Sequence, residues 1–157
     1  RAQLIVVSKC PEQMSDLEKT QIKTRLNPEF NQAVFFSSIH YSDRLRSSTS
    51  SRALKDLKGT HFTLVTGIAN PTSLVEYLIN LGLDFEHLNF KDHHEFSKSE
   101  LELIHSKSLV VTTEKDFSRL HTESKDQIYY LPIQLKIDKE AEFERMVETY
   151  IEEYKSL

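Results

Sequence analysis

Cysteine is almost absent from this sequence, Cys10 being the single one. One thiol allows no disulfide within the chain and fits a reducing compartment. Glycine is also scarce, with only Gly59, Gly67 and Gly82. A phosphate-cradling P-loop reads GxxxxGK[ST], and the sequence has no such run. No apolar stretch approaches the ~20 residues that cross a bilayer. The longest clean runs, such as Leu4-Ile5-Val6-Val7, have strand length. Lipid-facing enzymes need not span, so peripheral contact with a membrane surface stays open. Positive charge is not in excess either. Twenty Lys and Arg stand against 24 Asp and Glu, a net charge of −4. A domain that neutralises nucleic-acid phosphates usually has the opposite sign, so nucleic acid is not expected as a partner.

What is present is enough for a packed core. Hydrophobic residues make up 38% of 157 positions and charged residues 28%, which argues against global disorder. The length fits a single domain over residues 1–157. Arg1 leads directly into a strand-like run, with no leader segment, and the chain reads as a piece of a longer protein.

Short apolar runs alternate with helical stretches. Strands are expected at Gln3–Ser8, Ala33–Ser37, His61–Thr66, Phe85–Phe90, Ser108–Thr112 and Ile128–Leu131, the last ended by Pro132. Helices are expected at Ser15–Leu26, Pro71–Leu81, Ser97–His105, Glu114–His121 and Glu140–Tyr154. Ser15 with Glu18, and Ser97 with Glu100, fit the capping box, in which two side chains satisfy free backbone amides at a helix start. Leu17, Ile22 and Leu26 are the apolar positions of the first helix. Residues 42–59 break the rhythm with a serine-rich run among Arg44, Arg46, Arg52, Lys55 and Lys58. They read as a flexible polar and basic loop or hairpin, with a headgroup-facing loop as the sharper reading. Strands joined by crossover helices imply an α/β fold. The sheet should be mostly parallel, with helices on both faces, Rossmann-like or P-loop-kinase-like.

In such a sheet ligands bind beyond the carboxyl ends of the strands. Four polar segments follow strand ends. Ser8-Lys9-Cys10-Pro11 offers Lys9 to an anion or to the solvent, and Cys10 reads as a small packing residue. In Thr66-Gly67-Ile68-Ala69-Asn70-Pro71, Gly67 permits a tight or left-handed turn and Asn70 can cap the helix that follows. That segment is either an anion site at a helix start or an ordinary joint. In Phe90–Phe96, Asp92, His93 and His94 stand together. Histidine titrates near neutrality, so a proton-handling role competes with that of a solvated loop. Adjacent histidines in an extended loop tend to point apart, and metal sites need three or four convergent ligands, so no metal site is expected. In Thr112–Asp116, Thr113 and Asp116 can cap a helix. Lys115 is unexplained by capping, since a cation in the first turn is mildly unfavourable and hints at an anion or an ion pair.

Six stretches gather these features: IVVSKCP after Arg1-Ala2, FFSSIHY at 35–41, VTGIANP at 65–71, NFKDHHEFS at 89–97, VVTTEKD at 110–116 and YYLPI at 129–133. In order and spacing, over nearly the whole chain, they resemble the tetraacyldisaccharide 4'-kinase family of lipid A biosynthesis. That resemblance implies ATP-dependent, Mg²⁺-assisted phosphorylation of the 4'-hydroxyl of a tetraacylated disaccharide 1-phosphate. It also implies work at the cytoplasmic face of the inner membrane of Gram-negative bacteria. ATP and Mg²⁺ would be held mainly by an amino-terminal P-loop domain, over which this part closes. The family's Asp-His motif matches Asp92-His93, which implies catalytic roles for His93 and, as its support, Asp92. Lys9, Asn70, Thr113 and Lys115 would make ligand or domain-closure contacts, with His94 a solvated neighbour. Without a P-loop, residues 1–157 alone are expected to be inactive. Two other readings compete: a non-catalytic nucleotide- or phosphate-binding module, and a metal-dependent hydrolase built on Asp92, His93 and His94.

Overall fold

The computed structural model describes residues 2–120 and 126–155. In chain order the elements are β1 (Leu4–Cys10), α1 (Asp16–Leu26), β2 (Ala33–Tyr41), β3 (Arg44–Arg46) and β4 (Ser51–Ala53). A 3-10 turn at Leu54–Leu57 leads to β5 (Phe62–Thr66), α2 (Thr72–Asn80), β6 (Phe85–Asn89), α3 (Lys98–His105) and β7 (Val110–Thr113). Then come α4 (Glu114–Leu120), β8 (Ile128–Leu131), β9 (Ile133–Ile137) and α5 (Glu140–Lys155). The expected helix Glu114–His121 matches α4 up to Leu120, and His121 lies outside the described residues.

The fold is mixed α/β with mostly parallel strands, as the sequence implies. The strands divide between two sheets, however, and the chain between two compact units: Arg1–His40 with Gln134–Leu157, and Tyr41–Ile133. The first unit has the strand order β1-β2-β9, with β1 and β2 parallel from Leu4↔Ala33 to Cys10↔Ser38. Ser15 and Glu18 form the expected capping box at the start of α1. The apolar positions of α1 do not lead to burial. Leu17 is 69% exposed and no residue of α1 is fully buried. Lys19 instead reaches Asp138 at 2.9 Å, and Asp138 Oδ1 accepts the Phe36 amide at 2.7 Å. α5 sets Phe143 edge-on to Phe35, with centroids 5.2 Å apart. β9 was not expected, because Pro132 reads as a strand end. The proline separates two strands and belongs to neither.

The second unit is a six-stranded sheet in the order β4-β3-β8-β7-β5-β6. β6, β5, β7 and β8 run parallel, and β3 joins β8 and β4 antiparallel. Residues 42–59 therefore hold a hairpin and the 3-10 turn. Side chains alternate across the sheet. Leu64 and Val111, register partners, face one cluster with Leu74 and Leu78 of α2. Val65 and Val110 face another with Ile104 of α3 and Leu120 of α4. Helices thus cover both faces, and β5 is buried along its whole length. β5 is flanked by β6, which follows it, and by β7, which comes after β6. Strand order reverses there, the topological switch point at which open α/β sheets bind ligands.

Replacing Leu78, fully buried beneath β5, with alanine should cost about 2–5 kcal/mol in urea unfolding, whereas Leu17→Ala should stay within about 0.5 kcal/mol. Equal costs at the two positions would contradict this division between core and surface.

Candidate functional site

The switch point lies between the loop after β5 and the loop after β7. Gly67 opens the first. Its backbone is not left-handed, so turn freedom is not its role. A Cβ built on Gly67 would stand 2.9 Å from Asp116 Oδ1, and the missing side chain lets the two loops meet. Asp116 is fully buried. Its Oδ2 accepts the Gly67 amide at 2.8 Å and the Thr113 hydroxyl at 2.7 Å. Thr113 Oγ1 in turn accepts the Asp116 amide at 3.1 Å, so these two residues cap α4 as expected. Arg119 Nη1 stands 3.5 Å from Asp116 Oδ1, and its guanidinium lies over the Phe96 ring at 5.4 Å.

The loop after β6 brings the acid–histidine pair. Asp92 Oδ1 accepts Lys115 Nζ at 2.8 Å, which explains a cation in the first turn of α4. The Lys115 ammonium holds the Asp92 carboxyl below the ordinary carboxylate range. His93 adopts a left-handed backbone, φ 59°, uncommon outside glycine though better tolerated by asparagine, aspartate and histidine than by other residues. Its amide donates to Asp92 Oδ1 at 3.1 Å, and its Nε2 stands 3.6 Å from Asp92 Oδ2. The His93 side chain is 81% exposed. An exposed imidazole beside a carboxylate can take up or deliver a proton to a bound molecule.

His94 does the opposite of what its position suggests. It is not solvated but stacks on Phe90, with centroids 4.8 Å apart, and meets the edge of Phe96. Its Nε2 lies 3.1 Å from both oxygens of Glu100. The amide and hydroxyl of Ser97, with His94, hold the Glu100 carboxyl down at about 2. The hydrolase reading fails on this point, because His94 turns to Glu100 while Asp92 is taken by Lys115. Among the described residues no three His, Cys, Asp or Glu side chains gather as a metal site.

Of the residues expected at the site, Asp92, His93 and Lys115 are joined by these contacts, and Thr113 bonds to Asp116, the neighbour of Lys115. Asn70 acts locally, its Oδ1 accepting the Thr72 amide at 3.1 Å at the start of α2. Lys9 belongs to the first unit, left-handed at φ 60°. Its neighbour Cys10 lines a cleft with Lys19, Phe36, Ser37 and Asp138. Burial pushes the Cys10 thiol up, and the thiol donates to the Val7 carbonyl at 3.2 Å, in keeping with a packing role. Sequence reasoning missed a polar relay at the end of β5. Thr66 Oγ1 lies 2.8 Å from His87 Nε2 and donates to Asn89 Oδ1 at 3.2 Å. Burial lowers the His87 pKa, favouring the neutral ring. The period-two pattern His87, Asn89 on β6 was the available signal.

The family model described as Tetraacyldisaccharide-1-P 4'-kinase matches residues 1–152. The chain belongs to this family. The Tetraacyldisaccharide 4'-kinase of Flavobacterium johnsoniae is 36% identical over 98% of the chain and 46% of its own length. That of Bacteroides thetaiotaomicron is 32% identical over 98% of the chain and 47% of its own length. The chain thus spans about half the length of the curated relatives it matches. The crystal structure of LpxK from Aquifex aeolicus in complex with ATP shares the fold with a TM-score of 0.55 at 15% identity, over 93% of the chain and 51% of the LpxK chain.

The depressed Glu100 carboxyl sets a direction with pH. A carboxylate whose folded value lies below its ordinary 4.5 contributes stability above pH 4.5, and loses it as pH falls towards about 2. The melting-temperature advantage of the wild type over Glu100→Gln should be constant near neutrality and shrink between pH 4.5 and 2. An advantage that grows on acidification would refute this assignment.

Proposed function

We propose that the whole protein is an ATP-dependent kinase that phosphorylates the 4'-hydroxyl of tetraacyldisaccharide 1-phosphate, yielding lipid IVA in lipid A biosynthesis. The family match over residues 1–152 carries this reading, and the exposed His93 beside Asp92 gives it a chemical centre. Phosphoryl transfer depends on positioning and charge stabilisation, with little covalent work for the protein. In this reading His93 accepts the proton of the attacking hydroxyl or aligns the reacting groups. Asp92 orients the imidazole, and Lys115 keeps Asp92 ionised. The described residues do not themselves suit Mg²⁺, since Asp92 and Asp116 are engaged by Lys115, Thr113 and Gly67. The reading therefore assigns ATP and Mg²⁺ to an amino-terminal P-loop domain in the other half of the protein. In this reading the protein works at the cytoplasmic face of the inner membrane, in peripheral contact with its lipid substrate.

The test is transfer of labelled γ-phosphate from ATP to the disaccharide by the full-length protein. His93→Asn keeps a residue that tolerates the left-handed backbone, and should lower kcat about 10²-fold with an unchanged melting temperature. A wild-type rate in that variant removes His93 from the reaction. Residues 1–157 alone should give no product, and turnover by them would refute the division of labour.

A further inference from the structure

We infer that Asp116 is the positioning residue of this site, clasping the switch-point loops so that Lys115, Asp92 and His93 are held in line. The inference rests on the kinase reading above. Two other helix starts carry a carboxylate at the same capping position, Glu18 in α1 and Glu100 in α3. Glu18 bonds to its own cap, Ser15, and Glu100 to Ser97 and nearby His94. Asp116 differs from both. It is fully buried, and one of its oxygens reaches 49 positions back to the Gly67 amide. Capping α4 requires no such bond.

Burying a carboxylate is costly unless it is paired and hydrogen-bonded. Here the cost is offset by two hydrogen bonds to Oδ2 and by Arg119 at 3.5 Å from Oδ1. The arrangement leaves no room for a side chain at Gly67. Asp116 adjoins Lys115, Lys115 holds Asp92, and Asp92 flanks His93. One route from Gly67 to His93 thus passes through Asp116 and its neighbour Lys115, beside the direct backbone bond from the Phe90 amide to the Thr66 carbonyl. Loosening the clasp frees the first turn of α4, and with it the lysine that fixes the acid–histidine pair.

The experiment uses the full-length kinase with ATP, Mg²⁺ and the disaccharide. Asp116→Asn removes the charge facing Arg119. Gly67→Ala loosens the same clasp from the opposite side. Each should lower kcat by about 10²-fold, the scale of an ångström-level misplacement, with a smaller change in KM. In a His93→Asn background the same substitutions should have little further effect on kcat, because their action runs through His93. A general loss of folded protein would instead lower kcat by the same factor in both backgrounds, and that result overturns the inference. So does wild-type kcat in both single variants. If neither variant shows a cooperative melt, Asp116 and Gly67 serve folding and the inference fails. A wild-type protein that does not phosphorylate the disaccharide overturns the kinase reading itself, whereas active wild type with unaffected variants overturns only the positioning role.

Discussion

The parallel pairing of β5 with β7 is the constraint from which the candidate site follows. Leu64 lies beside Val111 and Val65 beside Thr112, so the two strands end together. β6, which precedes β7 in the chain, lies on the other flank of β5. The loops leaving β5 and β7 therefore part to opposite faces of the sheet, towards α2 and α4. A gap between diverging loops would expose the amide of Gly67. The buried carboxylate of Asp116 closes it. Hydrophobic packing on both faces brings the strand ends together, and one polar contact decides how they meet.

That ordering separates stability from chemistry. Leu64, Leu78, Val111 and Ile104 are fully buried and carry no reactive group. The proton-handling candidate, His93, sits at the other extreme, exposed and in a left-handed turn that few side chains adopt. Between them stands a graded series: Asp116 buried, Lys115 and Asp92 partly exposed, His93 in solvent. Side chains that must meet a substrate belong at the wet end of such a series, and those that aim them at the dry end.

Much of the fold was legible because local rules set it. Capping boxes at Ser15 and Ser97, and parallel strands alternating with helices, could be read from neighbouring residues. The failures have physical causes of the opposite kind. The pairing of Asp116 with Gly67 joins positions 49 apart, so the glycine looked like a turn residue when it was a space left for a carboxylate. His93 and His94 are adjacent, and the aromatic wall of Phe90 and Phe96 together with the Glu100 carboxylate decides which one is drawn inward. Leu17 and Leu26 are apolar but lie on opposite sides of α1, so they form no face that a neighbouring surface could cover. β9 was hidden because a proline ends one strand as readily as it separates two.

The antiparallel hairpin and the strand β8 have a topological corollary. The amide of Ser42, just inside the second unit, donates to the carbonyl of Pro132, just before its end, at 2.9 Å. Entry and exit of this 41–133 segment are thus neighbours, the arrangement expected of a module spliced into another chain. Its ends need no long tether, so little closure entropy opposes folding of the segment in place. Such a module can gain or lose residues in its own loops without changing the distance its host must bridge.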